Sequence, residues 1–101
     1  MQRFECLFFD PPEVELTDER EGHICARHPD LLPEFFDELK QTVEDPTDTM
    51  ENPYNPDKWM LARWFPHVRG GKYVIVQVLT ERQAVDRHWI VTAYLDSELP
   101  T

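Results

Sequence analysis

Three segments in the second half of the chain, Lys58–Phe65, Lys72–Thr80 and Arg87–Leu95, most constrain what it can fold into. The first is rich in Trp, Met and Leu, the second (KYVIVQVLT) is dense in β-branched residues, and the third (RHWIVTAYL) is mostly β-branched and aromatic. All three read as strands. The turns between them, Pro66–Gly71 and Glu81–Asp86, are too short for a crossover, so consecutive strands must pair antiparallel. A meander of this kind buries one face only when something packs on it.

The first half supplies the cover. Thr17 or Asp18 is placed to cap a helix, and Glu21 lies three residues beyond Asp18; the helix should run from about Asp18 to Arg27 or His28, where Pro29 stops it. A second helix is expected over Asp30–Glu44. Pro33 falls in its first turn, and Leu32, Phe35, Phe36, Leu39 and Val43 recur at helical steps before Asp45-Pro46 ends it. Phe4–Phe9 reads as a first strand, Val14–Thr17 as a few extended residues, and Thr49–Glu51 as a short strand in a Pro-rich loop. The expected architecture is α+β: two N-terminal helices on a curled antiparallel sheet of four to five strands. At 101 residues with 41% apolar content, residues 1–101 suit one domain.

Charge divides along the same line. The net charge is −10, yet residues 1–57 hold sixteen acidic side chains against four basic ones, whereas residues 58–94 hold six basic against two acidic. A uniformly acidic domain would repel phosphates; here the basic charge lies on the sheet segment, where an anion could find a favourable face. Cys6 and Cys25 have no repeating spacing and, with no signal peptide in view, read as reduced thiols of a cytoplasmic protein. The apolar start, Met1–Phe9, is too short to span a membrane.

Two segments carry chemistry. In GHICARHP, His23 and Arg27 share a helix face, and His28 is rotated by about 140° from His23. Two imidazoles and a guanidinium within six residues suit metal-free phosphodiester cleavage. One imidazole takes a proton, another group returns one, and a cation steadies the growing charge. From this segment alone the plainer role is the stronger one: His23 a surface side chain, His28 capping helix carbonyls before Pro29. On the last strand, alternation puts His88, Ile90, Thr92 and Tyr94 on one face and Trp89, Val91, Ala93 and Leu95 on the other. The second set should meet the helices. The first lines up an imidazole, a hydroxyl and a phenol at steps of about 7 Å, although Thr and Tyr are also ordinary strand residues.

Other sites are weaker. His23, Cys25 and His28 fit no common zinc spacing, so neither a metal nor a cofactor is expected. No phosphate-binding glycine loop exists. Trp59, Trp64, Phe65 and Tyr73 interleave with basic residues, as in sheets that stack bases, but such aromatics also build cores.

The order of these motifs resembles a known group. A helix with His23-Ile24 and ending in His28-Pro29, a helix closing on Asp45-Pro46, a Lys-Tyr-Val-Ile-Val strand and a final Trp-Ile-Val-Thr-Ala-Tyr strand resemble small bacterial and phage proteins of the barnase–EndoU–colicin–RelE ribonuclease fold. The resemblance spans about residues 14–96 and implies RNA cleavage without metal. It places His23, His28, Thr92 and Tyr94 as catalytic positions, and Arg63 or Arg69 where a sheet-borne cation is found. Arg27, Lys72 and His88 complete the expected substrate contacts. The implied setting is a toxin or phage-conflict effector with RNA as partner, although toxins of this type are usually basic. A competing expectation is a non-catalytic, antitoxin- or inhibitor-like module whose acidic N-terminal half covers a basic protein partner.

Overall fold

The computed structural model describes Met1–Pro100. Its elements run β1 (Gln2–Glu5), β2 (Glu13–Leu16), α1 (Asp18–Arg27), α2 (Phe36–Glu44), β3 (Asp48–Asn52), β4 (Asn55–Phe65), β5 (Lys72–Glu81) and β6 (Arg87–Asp96). The fold is α+β, as expected. The sheet, however, is six-stranded, open and uncurled, in the order β1-β2-β6-β5-β4-β3. It is also mixed: β2 lies parallel to β6 through Glu15 and Trp89, and every other pairing is antiparallel. Two strands therefore precede the helices and sit at the sheet's far side.

The parallel contact is short because a helix takes over from the strand. β2 ends at Leu16, and Thr17 caps α1 by accepting the Arg20 backbone N–H at 3.2 Å. A cap of this kind stabilises a helix by about 1 kcal/mol. Asp18, Glu19 and Glu21 place negative charge on the first turn, where the backbone dipole favours it. From there α1 travels beside β6 in the same direction. The Arg20 guanidinium lies 5.8 Å from the Trp89 ring centre, and the His28 ring lies 6.0 Å from that of Tyr94.

Two expected elements are shorter than the sequence suggested. Residues 30–35 form turns, and α2 begins only at Phe36. Pro33 has no N–H to give a helix and restrains Leu32 away from helical angles. The chain instead makes turn bonds from the N–H groups of Leu31 and Leu32 to the His28 carbonyl. The apolar run Phe4–Phe9 leaves the sheet after Glu5 because its burial does not alternate. Cys6 and Phe9 turn inward, while Leu7 stays 78% exposed. The expected strands at Val14–Thr17 and Thr49–Glu51 and the three C-terminal strands are present with slightly different ends.

The main core lies between the helices and one sheet face. Ile24 of α1 and Leu39 and Val43 of α2 meet Leu61, Val74, Val76, Val78, Ile90 and Ala93. On the opposite face Met60, Ala62 and Ile75 form a smaller cluster with Tyr73 and Tyr94, and Leu99 of the C-terminal tail packs onto it.

The face assignment of β6 departs from simple alternation. Gln77 pairs with Thr92, and the next residue, Val78, pairs with Ile90, so Val91 is an extra residue in the ladder. A bulge of one residue exchanges the faces of everything beyond it. His88 and Ile90 consequently share the helix-side core with Ala93 and Leu95, whereas Thr92 and Tyr94 look to the open face. The expected line of His88, Ile90, Thr92 and Tyr94 is thus split in two. Trp89, expected against the helical core with Ala93, instead packs under Arg20.

One turn is fixed by close approach. Gly71 has φ +102°, and a Cβ there would come within 2.7 Å of the Trp64 ring. Gly71→Ala should destabilise the fold by at least about 1–2 kcal/mol, the cost of a left-handed residue alone. A urea titration checks this, and an unchanged midpoint would show that the turn relaxes freely.

Candidate functional site

The residues singled out by sequence do not gather in one place. His28 terminates α1: its backbone N–H bonds to the Ile24 carbonyl at 2.7 Å, and its half-buried ring meets Tyr94, tilted by 38°. Thr92 is half-buried on the same sheet face as Tyr94, two residues earlier on β6. Tyr94 also lines a shallow cavity on that face with Met50, Lys58, Met60, Gln77 and Pro100. His23 and Arg27 are exposed on α1. His28, Thr92 and Tyr94 therefore border one region, and Arg27 precedes His28 directly in the chain.

His88 lies elsewhere. It is buried, stacked on Phe9 with ring centres 4.6 Å apart. Its Nε2–H donates to the Asp10 carbonyl at 2.9 Å, which leaves Nδ1 to accept the Thr80 hydroxyl at 2.8 Å. Both nitrogens are thus occupied in tying the Cys6–Pro12 loop to the β5–β6 hairpin. His88→Ala would strand a buried hydroxyl and a carbonyl, so stability should fall by about 1–3 kcal/mol. A denaturation curve tests this, and a loss within the roughly 0.5 kcal/mol of a surface change would contradict it.

The basic residues of the sheet are largely spoken for. Arg63 donates to the Asp45 carboxylate and carbonyl, both at 3.0 Å. Arg69 reaches Glu34 at 3.1 Å and the Asp30 carbonyl at 3.2 Å, with its guanidinium 5.4 Å from the Phe35 ring centre. Arg82 pairs with Asp57, and Arg87 with Glu15 and Glu81. Glu15, by its hydrogen bonds and charge, raises the Arg87 pKa above its ordinary value. Lys72 donates to the Ser97 hydroxyl at 2.9 Å. Among the described residues, Lys58 and Lys72 enter no ion pair. The acidic first half of the chain has thereby neutralised much of the charge that made the sheet look attractive to an anion.

His67 was not anticipated. In the β4–β5 turn, its Nε2 lies 2.9 Å from Glu38 of α2. With Arg63 and Arg69 it ties β4 and the β4–β5 turn to the acidic helical half. No local spacing signals this, since the partners are 29 residues apart. Burial pushes the Cys6 thiol up, which suits a packing role better than thiolate chemistry. Among the described residues, no group of three His, Cys, Asp or Glu side chains is arranged to hold a metal ion. No helix of the described residues is long and apolar enough to cross a membrane.

No family model, curated protein or solved structure matches this chain.

Proposed function

We propose that the chain is a metal-independent endoribonuclease of the barnase–EndoU–colicin–RelE type, acting as a toxin or phage-conflict effector. The observation that carries this reading is the meeting of His28 with Tyr94 across 6.0 Å, beside Thr92 and next to Arg27. His28 takes the proton from a ribose 2′-hydroxyl, whose oxygen attacks the adjacent phosphorus. The bond to the 5′ oxygen breaks, and that oxygen leaves with a proton from the Tyr94 hydroxyl. A cyclic 2′,3′-phosphate remains. Thr92 donates to a non-bridging phosphate oxygen, and Arg27 and His23, exposed on one face of α1, offset its charge.

The paired arginines do not exclude this chemistry. Exposed ion pairs are worth about 0–1 kcal/mol, so a phosphate can exchange for a carboxylate at little cost. The test is a gel assay of RNA cleavage in EDTA, comparing the wild type with His28→Ala and Tyr94→Ala. Cleavage by the wild type and its loss in both variants is expected. Equal cleavage by all three, or none by freshly prepared wild type on several RNAs, overturns the reading.

A second reading is favoured by a different observation: Arg63, Arg69, Arg82 and Arg87 are each matched by a carboxylate, so the remaining acidic excess is displayed outward. Such a surface suits a basic protein partner, as in an inhibitor or antitoxin-like module. Pull-down at low and high salt discriminates. A protein partner retained only at low salt supports this reading, and a lone monomer at both salts sinks it.

A further inference from the structure

The sheet face left open by the helices carries a line of rings. Trp64 and Tyr73 are cross-strand partners with ring centres 4.9 Å apart at 69°. Tyr94 pairs with Ile75, two residues beyond Tyr73 on β5, so Tyr94 and Tyr73 are diagonal neighbours. Both pack on the Met60, Ala62 and Ile75 cluster, and Tyr94 in turn meets His28. The line runs from the β4–β5 turn to the end of α1.

Its outer member is both accessible and fixed. Trp64 is 44% exposed, yet its indole rests against the bare backbone of Gly71 and against the Tyr73 ring. A large exposed aromatic held this way loses little freedom when a flat ligand settles on it. Lys72, opposite the core residue Phe65, falls on the helix side. Lys58, which enters no ion pair among the described residues, borders the open face. It alternates with Met60 on β4 and shares the cavity beside Tyr94. Asp96, opposite Tyr73, and Glu51, in the cavity, also lie there, so phosphate attraction alone is weak and stacking must carry affinity. Leu99 and Pro100 of the tail cover the centre but leave Trp64 open.

We propose that Trp64, Tyr73 and Tyr94 form a stacking track for the unpaired bases of single-stranded RNA, with Lys58 meeting a phosphate. The proposal rests on the ribonuclease reading and names its substrate class. Rings in a row present π-faces that a duplex, with its bases stacked on one another, cannot meet. The track delivers the strand toward His28 and Tyr94.

The probe is a fluorescein-labelled oligouridylate with 2′-O-methyl groups, which binds but cannot be cleaved, followed by anisotropy in EDTA at low salt. Trp64→Ala should weaken binding about tenfold, the scale of one lost base–aromatic stack, and Trp64→Phe should restore most of it. A self-complementary hairpin carrying the same modification should bind about tenfold more weakly than the single strand. Circular dichroism confirms that each variant is folded. Absence of binding, equal binding by Trp64→Ala, or equal binding of hairpin and single strand overturns the track. The two ideas fail separately. Trp64-dependent binding without cleavage of unmodified RNA keeps the track and removes the nuclease; cleavage with Trp64-independent binding does the reverse.

Discussion

His28→Ala should slow RNA cleavage by about two to four orders of magnitude, the usual contribution of a positioned general base. The substitution is well suited to the question because the helix-ending bond to Ile24 comes from the His28 backbone and survives in alanine. Tyr94→Phe is its companion. The phenyl ring keeps its packing on Met60, Ala62 and Ile75, and only the hydroxyl is lost. A cleavage loss of about a hundredfold or more with an unchanged melting curve would locate the effect in proton transfer. If both variants cut at the wild-type rate, neither group moves a proton and the reaction proposed for this site is wrong.

Deleting Val91 should leave folding cooperative. Val91 is the one residue of β6 without a partner in the β5 ladder, so its removal joins Ile90 to Thr92 and restores plain alternation. Ile90 stays opposite Val78 and Thr92 opposite Gln77, so Ala93 and Leu95 keep the core and Thr92, Tyr94 and Asp96 keep the open face. The loss should be about 0.5–3 kcal/mol, the ordinary cost of a single change. A domain of this size has about 5–15 kcal/mol of stability to draw on. The expected thermal melt, followed by far-ultraviolet circular dichroism, is sharp and only modestly lowered. A broad, shallow melt would show that the faces of β6 depend on the bulge itself. Val91→Ala, which keeps the bulge, should remain folded and serves as the control.

The same residue marks where the sequence stops being readable. The C-terminal strands, the capped first helix and the α+β class follow from β-branched runs, Thr17 and the helical recurrence of Leu39 and Val43. All of these are local signals. A bulge is not one, because Val91 looks like any other strand valine and is unpaired only by agreement between two strands. From that single residue came the misplacement of His88 beside Thr92 and Tyr94. The parallel contact of β2 with β6 was equally hidden, since it joins segments more than seventy residues apart. The second helix was overextended because the spacing of Leu32, Phe35 and Phe36 is helical while Pro33 is not. In the candidate site, the motifs singled out His28 and Tyr94 separately, and their meeting depends on α1 lying along β6, which no local pattern signals. The pairing of Arg63 with Asp45 and of Arg69 with Glu34 was likewise unsignalled, since linear charge segregation conceals charge that meets in space.

The handover from β2 to α1 has a consequence for how copies of this protein behave when crowded. With α1 lying along β6, the sheet's free borders are β1 and β3, only four and five residues long. Border strands expose unsatisfied backbone groups that invite another chain to join the ladder. Here β3 carries Asp48 and Glu51 between Pro46 and Pro53, and β1 carries Arg3 and Glu5. Two molecules meeting β3 to β3 would bring like charges together, so fibre growth by strand addition is discouraged from that side.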